Sequence, residues 1–95
     1  MKVTLEFLSL PNVVKMIGSK TVALDISGTT INDLVREVAG KYGRDVQKFL
    51  LDESGQLDTS LAIAINQQEL IYRDQMDRPL RDGDRVTIMM LVAGG

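Results

Sequence analysis

Hydrophobic and polar residues alternate from the start of the chain. Val3, Leu5 and Phe7 fall on one side of an extended backbone and Lys2, Thr4 and Glu6 on the other, the period of a strand with one wet face. Pro11 and Asn12 break the pattern and Gly18-Ser19 marks a turn. Alternation resumes with Val22, Leu24 and Ile26 against Thr21, Ala23 and Asp25, so the two strands are expected to form a hairpin joined by a longish loop. The period then changes. Ile31, Leu34, Val35, Val38 and Ala39 recur as one apolar helix face. Thr30 ahead of them is a good N-cap, because its hydroxyl accepts a free backbone N–H of the first turn. Asp33 puts negative charge at the positive end of the helix dipole, and Gly43 suits the C′ position, where positive φ is needed.

Val46, Phe49 and Leu50 predict one short helical turn, and Asp52 to Gly55 a surface turn. Leu61, Ile63 and Ile65 alternate with Ala62 and Ala64 as a third strand that ends at Asn66. Glu69 to Tyr72 reads as a short edge strand. Asp82-Gly83-Asp84 is a tight-turn signal, and it launches a last strand of Val86, Ile88 and Met90 against Arg85, Thr87 and Met89. A single helix cannot cover both faces of a sheet, so this order predicts an α+β fold, a mixed sheet with the helix across one face. The helix should lead from the hairpin to the later strands by a right-handed crossover. The domain is expected to span residues 1–90, with 91–95 as a flexible tail.

Composition narrows the chemistry. The 95 residues contain no cysteine and no histidine, which removes thiolate nucleophiles, Ser-His-Asp triads and the commonest metal ligands. No metal site is expected, since Asp82-Gly83-Asp84 lacks the remaining ligands of a calcium loop. Acidic residues number 13 against 11 basic ones, and the basic residues are scattered, so no nucleic-acid face is expected. No apolar run approaches the ~18 residues of a membrane span. Glu6 interrupts the apolar start that a signal peptide needs, and a cytoplasmic location is expected. Asp52-Glu53 and Asp82/Asp84 sit in hydrophilic turns, where solvent should hold their pKa values near normal. Phosphate-cradling glycine motifs are absent.

Gly94-Gly95 remains. At an average glycine usage of about 7%, two final glycines arise by chance in roughly 0.5% of chains, and here a strongly alternating strand runs almost directly into the pair. Leu91 to Gly95, extended, span roughly 16–18 Å, a length suited to delivering a carboxylate into another protein's active site. The run Ile65-Asn66, then Leu80-Arg81-Asp82-Gly83-Asp84-Arg85-Val86, then Val92-Ala93-Gly94-Gly95 resembles the ubiquitin-like sulfur-carrier proteins. That family includes the small subunit of molybdopterin synthase, the thiamine-pathway carrier and the carrier serving a cysteine-forming synthase. The resemblance implies a β-grasp fold. The family often has proline just before its Val-x-Gly-Gly tail, where this chain has Met90-Leu91.

The resemblance also implies a mechanism. The Gly95 carboxylate would be adenylated by a separate activating enzyme that uses ATP, then converted to a thiocarboxylate. Gly94, Ala93 and Val92 would enter the partner's active site, and a sulfur-accepting synthase subunit would be the second partner. The chain would bind no cofactor and have no activity of its own. Molybdopterin precursor, the thiamine thiazole, cysteine and transfer RNA are the acceptors the family offers, and the chain's length and its Val-Ala-Gly-Gly ending lean to the molybdopterin or cysteine branch. Met89, Met90, Leu91 and Val92 are four consecutive apolar residues, which fits either a central strand buried on both faces or a docking patch with Met89 and Leu91 outward. With Phe7, these two are the candidate partner-binding residues. Two other functions fit the same residues: a ubiquitin-like modifier joined to lysines through Gly95, and a non-covalent binding module with an incidental tail.

Overall fold

The computed structural model describes residues 1–91. β1 (Lys2–Leu8) is followed by α1 (Pro11–Ile17), β2 (Thr21–Asp25), α2 (Ile31–Tyr42), α3 (Arg44–Leu50), β3 (Leu61–Ile65), β4 (Glu69–Ile71) and β5 (Arg85–Met90). The strands form one sheet in the order β2-β1-β5-β3-β4. β1 runs parallel to β5, and the other neighbouring pairs are antiparallel. The α+β, mixed-sheet architecture expected from the pattern is therefore present, with β5 at the centre.

Register and alternation sort the side chains. Leu5 lies opposite Val86 and Phe7 opposite Ile88, while Ile63 lies opposite Ile88 and Ile65 opposite Val86. These residues share one face with Val3 and Leu24, and all are buried with Ile31, Leu34, Val35 and Val38 of α2. Each fully buried aliphatic or aromatic side chain of this layer contributes about 1.5–3 kcal/mol. α2 begins as its sequence requires: Thr30 Oγ1 accepts from the Asp33 N–H at 3.1 Å, and Asp33 Oδ2 accepts from the Thr30 N–H at 3.1 Å. That reciprocal box satisfies two otherwise free donors of the helix start.

The connection between β1 and β2 differs from the expected loop, because it contains α1. Pro11 occupies the first helical turn, where a missing N–H costs nothing. Val13 is fully buried, and Gly18 closes the helix at φ 92° with its N–H on the Val14 carbonyl at 2.7 Å. The turn expected from Val46, Phe49 and Leu50 is α3, seven residues long. Val46 and Leu50 face the core, whereas Phe49 is exposed.

Candidate functional site

The start of β5 is fastened before the strand begins. Gly83 at φ 90° turns the chain, and its N–H donates to the Lys2 carbonyl at 2.7 Å. Asp84 is not the solvated turn carboxylate that the sequence suggested: it is buried, and it accepts from the Arg81 N–H at 2.8 Å and from Asn66 Nδ2 at 3.0 Å. Asn66 Oδ1 in turn accepts from the Arg85 N–H at 2.8 Å. Asn66 itself takes φ 53°, a left-handed conformation that asparagine tolerates. The turns after β3 and before β5 are thus clasped to each other. Asp52 also differs from a freely solvated carboxylate. It accepts from the Ser54 hydroxyl and N–H and the Gln56 N–H and pairs with Arg73, and the Ser54 hydroxyl leads in holding its carboxyl below the usual range.

The sheet face opposite the helices carries the side chains that alternate away from the core. Leu8 of β1 and Ala62 of β3 both lie opposite Met89, and Leu70 lies opposite Ala64. Leu8 and Leu70 are exposed and Met89 is half-buried. Beyond them Leu91 is 52% exposed at the end of this face, while Met90, which alternates to the helix side, is 42% exposed there. The pairing continues past the strand, because the Leu91 N–H donates to the Ser60 carbonyl at 2.7 Å.

Of the residues expected at the site, Met89 lies on this open face and Leu91 at its end. Phe7 does not belong with them. It points into the core at 1% exposure, packed in the layer of Leu5 and Ile88, and offers a partner no surface. Its place in the alternation with Val3 and Leu5 already says so. Val92, Ala93, Gly94 and Gly95 lie outside the described residues. Leu8 was missed, although an apolar residue following Lys2, Thr4 and Glu6 on the polar side breaks the alternation and could have signalled it.

A polar knot interrupts the apolar face. Arg85 Nη2 donates to Glu6 Oε2 at 3.0 Å, and Thr87 Oγ1 donates to Glu6 Oε1 at 3.2 Å. Glu6 and Thr87 are buried, and Arg85 Nε is also buried but has no partner. The hydrogen bond from Arg85 holds the Glu6 carboxyl below its ordinary 4.5, outweighing the upward push of burial. A carboxyl lowered on folding contributes stability that is present above the unfolded value and lost as pH falls through the folded one. Glu6→Gln should therefore lower stability at pH 7 by about 1–3 kcal/mol. It should also flatten the acid limb of the stability curve below about 4.5. Denaturant melts at stepped pH check both, and an unchanged acid limb would remove Glu6 from that account.

Among the described residues there is no cluster of acidic side chains able to hold a metal ion. Nor does any described helix have the length and apolarity to cross a membrane. What the geometry offers is presentation: a rigid central strand, an apolar face around it and a chain leaving from its end.

Comparison with known proteins agrees with this picture. A model of the ThiS family matches residues 12–95. The sulfur carrier protein ThiS of Thermus thermophilus is 34% identical over 65 residues, which cover 68% of this chain and 95% of that protein. The sulfur carrier protein CysO of Mycobacterium tuberculosis is 27% identical over 89 residues, covering 92% of this chain and 95% of the relative. Among solved structures, the small archaeal modifier protein 1 of H. volcanii matches with a TM-score of 0.77 at 17% identity, over 96% of this chain and 98% of that one. The fold is the ubiquitin-like β-grasp.

Proposed function

The chain belongs to the ThiS family, and from that premise we propose that it is a sulfur carrier whose own Gly95 carboxylate is the reacting group. A carboxylate is a poor electrophile until one of its oxygens can leave. In the proposed cycle a carboxylate oxygen attacks the α-phosphorus of ATP on a separate activating enzyme and expels pyrophosphate. A sulfur nucleophile then attacks the acyl carbon. AMP departs with the oxygen, and a thiocarboxylate remains for a sulfur-accepting synthase subunit in molybdopterin or cysteine formation. The chain is a substrate in this scheme and supplies no catalyst.

The observation that carries the reading is the exit of β5. The central strand is fixed at its start by the Asn66–Asp84 clasp and at its end by the Leu91–Ser60 bond. Apolar Leu8, Met89 and Leu91 lie around that exit. Four residues follow Leu91 in the sequence, able to reach at most about 13–14 Å. Glycine at both final positions leaves no Cβ to obstruct a narrow channel or a nucleophile's approach to the carbonyl.

The test is an intact-mass measurement. The protein is incubated with ATP, sulfide and an adenylating activating enzyme. Replacement of one oxygen by sulfur at Gly95 is the expected result, and iodoacetamide should then add one carbamidomethyl group to the sulfur-bearing species alone, since the chain has no cysteine. Gly95 joined to lysines of other proteins, with no sulfur-containing species, would assign the same adenylate to protein modification instead. No change in either form would overturn both readings.

A further inference from the structure

The ladder between β3 and β5 ends in an unequal pair. In an antiparallel ladder the two residues of a bonded pair exchange both of their hydrogen bonds. Ser60 and Leu91 continue the register one step beyond Leu61 and Met90, and the Leu91 N–H donates to the Ser60 carbonyl at 2.7 Å. The return bond is missing, because the Ser60 N–H is turned elsewhere. It donates to Asp58 Oδ1 at 2.9 Å, and the Ser60 hydroxyl donates to the same oxygen at 2.6 Å. A short acidic side chain that accepts from the N–H two residues on forms an Asx turn, which takes a backbone donor away from regular structure. The Ser60 hydroxyl leads in holding the Asp58 carboxyl below the usual range. The acceptor is therefore ionised at neutral pH, and a charge-assisted bond outcompetes a neutral carbonyl.

The position after this pair is closed as well. Two residues further along, the same register would make Asp58 the next bonding partner. Its N–H donates to the carbonyl of fully buried Leu50 at 2.9 Å, and its carbonyl accepts from the Leu61 N–H at 3.0 Å. On the other flank of β5, β1 pairs as far as Leu8, opposite Met89. Ser9 then takes φ 57°, a left-handed conformation uncommon for serine, and turns the chain into α1. Both neighbours of the central strand thus commit their backbone groups elsewhere close to its end.

We propose that Asp58 is a positioning residue that ends the ladder at Leu91 and so releases the segment carrying Gly95. Without its carboxylate the Ser60 N–H can bond the Leu91 carbonyl, and the root of that segment is held by two bonds instead of one. An enzyme that draws the segment into its active site must then break the added bond. The worth of one neutral backbone bond sets the size of the effect, a loss of about threefold to tenfold in rate. The release follows from the bonding at residues 58 to 60, and its purpose rests on the sulfur-carrier reading.

Two readouts on the full-length chain test it. In isotope-labelled protein, a scalar coupling across a hydrogen bond from the Ser60 N–H to the Leu91 carbonyl should be absent from the parent and present in D58A. With ATP, sulfide and an adenylating activating enzyme, kcat/KM for sulfur gain by D58A should fall about threefold to tenfold. D58N keeps an Oδ1 acceptor, so it should show no coupling and stay within about twofold of the parent. Should D58A fail to fold, D58E carries the test: it keeps the charge, but its longer side chain does not form the Asx turn. The absence of the coupling from both D58A and D58E, a parental kcat/KM in a variant that shows it, or D58N slowed as much as D58A would each overturn the proposal. A parent that gains no sulfur would sink the carrier reading instead, and the coupling alone would then support or overturn the release.

Discussion

A chain shortened by Gly95 alone is expected to keep its melting temperature and to lose thiocarboxylate formation by at least about a hundredfold. β5 ends at Met90, and every buried core residue among those described precedes it, so folding stability is expected to rest on residues other than Gly95. The shortened chain still ends in a glycine carboxylate, but its reach falls by about 3.3–3.6 Å. A reacting atom misplaced by about 1 Å can already cost a hundredfold in rate. Gly95→Ala keeps the reach and adds only a Cβ, so it should fall between the two. Intact mass after incubation with ATP, sulfide and the activating enzyme reads all three proteins, beside a thermal melt of each. A shortened chain that still gains sulfur at the full rate would locate the reacting carbonyl elsewhere.

Phe7→Ala is expected to remove about 3–5 kcal/mol of folding stability. Total stability for a domain of this kind is about 5–15 kcal/mol, so the variant sits near the threshold of unfolding. The ring is 1% exposed between β5 and the helices, and the cavity left behind adds to the lost transfer energy. Leu91→Ala makes the contrast: at 52% exposure it should change stability by about 0.5 kcal/mol or less while weakening capture by the activating enzyme. Urea melts of both variants, with a pull-down on the second, separate the roles. A Phe7→Ala protein as stable as the parent would mean that the core is not organised around this ring.

Those two side chains also show where a reader of the sequence succeeds and where physics intervenes. α2 was legible because five apolar positions, a Thr30 cap and Gly43 all pointed the same way. β5 was legible from its alternation, and Met89 and Leu91 from the surplus of apolar residues at its end. α1 was not, because proline reads as a break unless its position at the first turn of a helix is known, and that depends on Val13 finding the core. Phe7, expected at the partner surface, belongs to the core, as its place in the alternation with Val3 and Leu5 requires. Asp84 was hidden for a different reason: its partner Asn66 is 18 residues away, and only the folded chain brings two turns together. The same is true of Glu6 with Arg85 and Thr87, 79 and 81 residues apart.

The adjacency of β1 and β5 has an effect on manufacture. Translation makes the first long before the second, so a half-finished copy leaves β1 and β3 each with a raw flank and no shared neighbour. Neither flank can close until Arg85 to Met90 have emerged. A copy stalled short of that point has no completed body to offer, so the fold waits on its last strand.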